Sequence, residues 1–303
     1  MEKDFMSEED IIRKYPIVQL VVDNERRASP LILQSSKATN KCVDKLMRLF
    51  REIKGVISDL PKDPSTGEIE ETVMQAFIPR EIILDMRKRI YFLPKTELRG
   101  LTKIVQMNQY SNRMRLTDYI DTMVYIVIIE ELGGLFAPAH TCVIESYVQA
   151  LEDINDFYGL DGEIDINYGS VNDQIIGSDS RTYEEALDDI FYGAVGSSRV
   201  WIKRAFNDKV ALRDGLESTM KTFHNVYATQ LMTRSNYSFN LAMINALRRG
   251  GVETYTYRAI LDGRTSEICT SLNGKVFSIE DAQVGVNMPP MHHRCRSHIE
   301  MNI

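Results

Sequence analysis

Apolar positions along this chain recur mostly at spacings of three and four, the period of a helix that buries one face. Residues 36–58 carry Val43, Leu46, Met47 and Phe50 in that register, with Cys42 beside the stripe, and predict a helix. Pro61, Pro64 and Gly67 then break the chain into an exposed loop. After Ile78-Pro79, residues 80–93 predict a second helix that Pro94 closes, and a further helical stretch begins near Thr96. Residues 113–134 read as a helix stopped by Gly133-Gly134, although the β-branched run within it also suits a strand. Val143 to Phe157 is amphipathic again, with Tyr147, Leu151 and Ile154 on one side.

The pattern lapses over residues 161–181, which are rich in Gly, Asp, Asn and Ser and read as a linker or short hairpin. Asp161, Glu163, Asp165 and Asn167 have the oxygen-rich look of a calcium loop. An EF-hand needs Gly at its sixth position and Glu at its twelfth, and Ile166 and Asn172 stand there, so calcium is rejected. Helical periodicity restarts at Thr182, whose spacing to Glu185 is that of a capping box. Ala186, Ile190 and Phe191 follow, Gly196-Ser197-Ser198 is expected to interrupt the helix, and Trp201 reads as a core anchor. The most sustained stripe is Leu212, Leu216, Met220, Phe223, Tyr227 and Leu231, continued by Leu241, Ile244 and Leu247. Arg248-Arg249 and Gly250-Gly251 mark its end, and His224 on it reads as a surface or packed residue.

Beyond it the chain shortens its elements: a strand at Glu253–Ile260, a turn at Asp262-Gly263, and a short helix ending at Asn273-Gly274 that Thr265 or Asp262 could cap. A brief strand at 275–277, a stiff Pro289-Pro290 return and a closing strand from Arg294 to Met301 complete it. The fold expected is α+β and predominantly α-helical. A helical N-terminal region (1–160) and the 161–181 linker precede a long helix carrying a small α+β module (182–303).

Composition narrows the setting. The chain has 303 residues, 44% hydrophobic and 26% charged, which is the make-up of a globular protein of about two domains. A net charge of −7 gives no general attraction to nucleic acid or anionic membrane, so any DNA contact must be local. Cys42, Cys142, Cys269 and Cys295 do not form the spacing of a secreted disulfide scaffold, and the charged N-terminus lacks a signal-peptide core. The longest apolar run, Met123 to Ile129, is far short of the roughly 18 residues that span a bilayer. A reducing cytoplasm is the compartment of folding these features suggest.

Chemistry concentrates in residues 258–298, which hold two of the four cysteines and three of the five histidines. Three readings are open. Cys269, His292 and Cys295 offer zinc-type ligands, whereas His298 would face away from Cys295 if residues 294–301 formed a straight strand. Asp262, Arg264, His292, His293 and Arg296 could instead serve a nuclease-like reaction, with His as acid or base and Arg on phosphate. In the structural reading, which we adopt at this level, Asp262 and Thr265 cap a turn and Arg264 and Arg296 form charge-assisted bonds. Cys269 and Cys295 then pack as small apolar groups, joined by a disulfide only if they meet.

The residues Arg234, Asp262, Arg264, Thr265, Cys269, Leu272, Gly274, Lys275, Phe277, Pro289, Pro290, His292, Cys295 and Arg296 together form a motif. This motif resembles the C-terminal domain of the Mu F-like phage head morphogenesis (minor head protein) family. Ser266 and Ser297 stand where many members carry further cysteines, which weakens the case for a four-cysteine metal site. The resemblance implies a non-enzymatic minor capsid protein of a tailed phage, made in the host cytoplasm and held in the virion inside the capsid near the portal. Its implied partners are the portal protein and other capsid components, with packaged DNA as a further candidate and no membrane. No cofactor is expected from it; the residues themselves leave a structural zinc at Cys269, His292 and Cys295 as the one candidate. The alternative is a nucleic-acid-processing enzyme built on the terminal His/Arg cluster.

Overall fold

The computed structural model describes residues 8–58, 74–93, 113–160, 182–207 and 210–302. Its elements in order are α1 (Glu8–Lys14), α2 (Ile17–Ser58), α3 (Arg80–Tyr91), α4 (Leu116–Leu132), α5 (Phe136–Tyr158), α6 (Tyr183–Asn207) and α7 (Leu212–Arg249). There follow β1 (Thr254–Arg258), α8 (Glu267–Leu272), β2 (Val276–Ser278) and β3 (His298–Met301). The protein is predominantly helical, with one small antiparallel sheet near its C-terminus in the order β2-β1-β3. No described helix is long and apolar enough to cross a membrane. The loop predicted after residue 58, the helical stretch from Thr96 and the 161–181 segment lie outside the described residues.

The chain divides into two compact units. One comprises Ile32–Pro138 and Leu187–Tyr227. Its centre is α4, the run whose β-branched residues suited either element. Helix wins because twelve of the seventeen positions from Leu116 to Leu132 are buried, including every one from Thr122 to Ile129, so burial covers the whole circumference there. The half-buried and buried carboxylates of α4 are paired. Asp121 binds Lys203 at 2.7 Å and also Arg199, and Glu131 binds Lys41 at 3.1 Å and also Lys45. Burial alone would push the Glu131 carboxyl up, but Lys45 and Lys41 outweigh it and hold it below the usual carboxylate range. His224 accepts the packed role through its Nδ1, 2.8 Å from the Ser35 hydroxyl.

α6 differs from its sequence reading. It runs unbroken through Gly196-Ser197-Ser198, because Ala194, Val195, Ser198 and Ile202 bury one face on either side. A helical glycine costs only about 1 kcal/mol relative to alanine, less than that burial returns. The capping box holds: the Glu185 amide donates to the Thr182 hydroxyl at 3.2 Å, and the Thr182 amide donates to the Glu185 carboxylate at 2.8 Å. Trp201 lies over Gly215 of α7, where a methyl group would fall 2.6 Å from ring atom Cε3.

The other unit comprises Met1–Leu31, Ala139–Ala186 and Ala228–Ile303. α2 begins well before the predicted residue 36, because Ile17, Val18, Val21 and Val22 form a buried stripe that the polar Asp23-Asn24-Glu25 run obscures in sequence. α7 ends as expected. Val252 donates to the Leu247 carbonyl and Gly251 to that of Arg248, with Gly251 at φ +70°, a Schellman close that favours glycine. In the sheet, Tyr255 pairs with Phe277 and Met301, and Tyr257 with Ile299, so both tyrosines of β1 are buried as their alternation predicts.

Gly215→Ala should destabilise the protein by about 1–3 kcal/mol in urea denaturation despite alanine's better helix propensity, because the Trp201 ring is forced off its seat. In a Trp201→Ala background the same change should stabilise by up to about 1 kcal/mol. A gain in the wild-type background would disprove the close packing.

Candidate functional site: a Cys–His cluster bolted to a helix

The terminal module is set on a stretch of α7 that looks wrong for a helix core. From Thr233 to Asn240 every residue is buried, and Thr233, Arg234, Ser235, Asn236, Ser238 and Asn240 are polar. Such a helix is stable only if its neighbours satisfy it. Asn236 and Asn240, one turn apart, both donate side-chain amide hydrogens to the Ser297 carbonyl, at 3.1 and 3.3 Å. The Asn240 side-chain oxygen accepts from the Ile299 amide at 3.1 Å. Asn24 of α2 donates to the Ser235 carbonyl at 2.9 Å, and the Thr233 hydroxyl accepts from the Arg294 amide at 3.0 Å. Arg234 stacks its guanidinium 5.4 Å from the centre of the Tyr183 ring.

These bonds shape the residues before β3. Arg294 has φ +57°, Cys295 donates to the His292 carbonyl at 3.2 Å, and the closing strand starts only at His298. The straight strand expected from Arg294 is therefore a turn followed by four extended residues, because the backbone of Arg294 is held on α7. His298 belongs to the sheet rather than to the cysteines. Its Nε2 is 3.2 Å from Glu300, which also pairs with Arg258 at 2.7 Å.

On the other side of the module, Asp262 and Thr265 close the turn after β1. The Asp262 amide donates to the Thr265 hydroxyl at 2.9 Å, that hydroxyl donates to the Ile260 carbonyl, and the Arg264 amide donates to the Asp262 carboxylate at 2.9 Å. The cap of α8 is neither of them. Ser266 takes that place, its hydroxyl accepting from the Cys269 amide at 3.3 Å. Arg296, nearly buried, joins Asp262 and reaches Glu25 of α2 at 2.7 Å; Arg264 also pairs with Asp262, at 3.3 Å. Gly274 has φ +80° and donates to the Tyr257 carbonyl at 2.8 Å, while the Lys275 carbonyl accepts from the Tyr257 amide at 2.9 Å. Gly274 and Lys275 thus act through their backbones, with the Lys275 side chain exposed.

The turn at 292–295 and the start of α8 bring Cys269, His292 and Cys295 together. The two sulfurs are 3.7 Å apart, and His292 Nε2 is 3.3 Å from Cys269 Sγ and 2.9 Å from the Ser266 hydroxyl. His292 Nδ1 lies 2.9 Å from the His293 carbonyl. A carbonyl only accepts, so Nδ1 carries the proton and Nε2 presents a lone pair to the thiols. Tyr257 donates its hydroxyl to Cys269 Sγ at 3.3 Å, and the cysteines pack against Tyr257, Leu272, Phe277 and Met291. Within the thiol pair, the hydrogen bond from Cys295 pulls the Cys269 thiol well below its usual range against the opposing effect of burial, and hydroxyls of Ser266, Ser297 and Tyr257 add to it. Cys295, donating that bond in a buried place, is pushed up.

Cys269 and His292 also line a small, open cleft shared with Asp262, Arg264 and Arg296. Asp262, Arg264, His292 and Arg296 of the nuclease-like reading are thus near one another, whereas His293 does not line the cleft, and Arg296 and Arg264 are engaged by carboxylates. Sequence reasoning missed Glu25, Tyr257, Asn236 and Asn240. Only the asparagines had a signal, two amides at helical spacing inside an apolar stripe.

Asn240→Ala should cost about 1–3 kcal/mol by chemical denaturation, since it strands the buried Ile299 amide and removes one of the two donors to the Ser297 carbonyl, leaving only Asn236 there. Hydrogen exchange should locate the loosening at Ile299. Unchanged protection there would remove Asn240 as the bolt.

No curated protein and no solved structure matches this chain. Residues 208–300, spanning α7, the sheet and the whole Cys–His cluster, match the family model described as Phage Mu protein F like protein, as the Mu F-like motif led one to expect.

Proposed function

We propose that this chain is a head morphogenesis protein of a tailed phage, a minor capsid component that binds the portal protein or other shell components during head assembly or DNA delivery. The observation carrying this reading is that the match to the Phage Mu protein F like family runs from just ahead of α7 into β3, covering the module and the α7 platform together. The chemistry of the motif residues supports it. Asp262, Thr265, Gly274 and Arg296 are occupied in holding the module's own turns and in the bond to Glu25. Residues so engaged serve a rigid part better than a reaction centre.

In this reading residues 182–303 form the head morphogenesis domain, residues 161–181 join it to the rest, and residues 1–160 supply a portal- or scaffold-facing region. The net charge of −7 directs the protein toward protein partners, since only a local basic surface could hold DNA. The protein is then carried in the virion inside the capsid, near the portal.

Co-expression of the full chain with the portal and major capsid proteins of the same phage should give co-purification with the portal at salt concentrations that remove non-specific partners. Retention by neither portal nor shell would overturn the proposal. Incubation with DNA and RNA, with and without divalent cations, should give no cleavage above background; turnover abolished by His292→Ala would establish the enzymatic reading instead.

A further inference from the structure

The Cys269–His292–Cys295 cluster has more order than packing requires. Two thiols and one imidazole nitrogen present their ligand atoms within 4.8 Å of one another. Zinc bound at about 2.3 Å from sulfur and about 2.0–2.1 Å from nitrogen in a tetrahedral array separates two sulfurs by about 3.8 Å, and a sulfur and a nitrogen by about 3.5 Å. The cluster shows 3.7 Å and 3.3 Å for these pairs. Two of the three ligand pairs therefore lie at the span of a zinc ion, and the third, Cys295 Sγ to His292 Nε2, is within 4.8 Å.

The orientation of His292 is an independent observation. Packing or a chance contact would leave either ring nitrogen toward the thiols. Here Nδ1 is committed to the His293 carbonyl, the outer bond that fixes the tautomer of most zinc-bound histidines, and Nε2 is left with its lone pair aimed at Cys269. Each ligand is held by a different device. Cys269 is on α8 behind its Ser266 cap, and Cys295 is on the turn whose preceding residue, Arg294, is fixed to Thr233 of α7. His292 follows the Pro289-Pro290 return.

We propose that Cys269, His292 and Cys295 bind one zinc ion, with the fourth position taken by solvent from the cleft that Cys269 and His292 line. On binding, both cysteines coordinate as thiolates, any thiol proton still held passing to solvent, and Nε2 exchanges its Ser266 hydrogen bond for the metal. The ion ties α8 to the segment before β3, so its role is to clamp the module. This goes beyond the assembly reading and does not depend on it: metal content and portal binding are separate measurements.

The test uses the full chain, purified after expression with added zinc and analysed for metal by mass spectrometry, then stripped and refilled with cobalt(II). The expected result is one zinc per chain and a cobalt protein with a thiolate charge-transfer band and the intense visible bands of a tetrahedral site. Cys269→Ser, Cys295→Ser and His292→Gln should each weaken zinc affinity by at least about 100-fold, more than loss of an outer partner. Cys142→Ala should retain full metal. Thermal unfolding should show a loss of Tm on chelation in the wild type and no further loss in His292→Gln. Because the cobalt spectrum is read on the unaltered chain, a variant that fails to fold does not blunt the test. Sub-stoichiometric zinc after incubation with excess metal, or a cobalt protein without thiolate bands, overturns the proposal. So does thiol titration in denaturant that finds Cys269 and Cys295 joined as a disulfide.

Discussion

The terminal module depends on one interaction: two side-chain amides of α7, Asn236 and Asn240, meeting the backbone of Ser297 and Ile299. The chain just before β3 is not yet paired in the sheet, so its buried backbone groups need partners from elsewhere. An asparagine supplies a donor and an acceptor on one short stem, and Asn240 uses both. Once the backbone of 297–299 is anchored, the segment before it is fixed too. Arg294 takes its positive φ against Thr233, Cys295 closes the turn on His292, and Arg296 points toward Asp262 and Glu25.

The same interaction offsets much of the cost of burying a run as polar as Thr233 to Asn240, in which the Ser238 hydroxyl has no partner among the described residues. Each polar group there is a cost of about 1–3 kcal/mol if left alone and close to neutral when satisfied. The polar stretch therefore gives the module one permitted seat. A purely apolar helix face would accept the sheet in several registers, whereas amides at positions 236 and 240 accept only the arrangement that satisfies them.

Much of this was legible in the sequence. The apolar stripe from Leu212 to Leu231, the glycine close at 250–251, the Thr182 capping box and the tyrosine alternation on β1 are local signals, set by residues within a turn of one another. The misses have a common cause in distance. Pairing of Arg296 with Glu25, the Tyr257 hydroxyl on Cys269 and the break of the closing strand at Arg294 all come from partners far along the chain. Periodicity cannot report them. The opposite-face argument against Cys295 and His298 rested on a strand that tertiary contacts shorten, while the three ligand candidates Cys269, His292 and Cys295 do converge. Gly196-Ser197-Ser198 failed as a helix stop for the converse reason: weak local propensity was overridden by burial of the residues around it.

Size gives the cluster its meaning. The module from β1 to β3 has strands of three to five residues and a helix of six, too little apolar surface to hold itself together. Small units of this kind gain stability from cross-links: disulfides, metals or bonds to a larger body. This module uses bonds to a larger body at Asn236, Asn240 and Glu25, which hold the β3 side. α8 has no such bond among those described; it is tied to the opposite edge through Cys269, packed against Cys295 and facing His292. A cross-link at that point joins an element the amides do not reach to the segment they hold most firmly. Two thiols and an oriented imidazole are therefore placed where a small fold most needs a clamp.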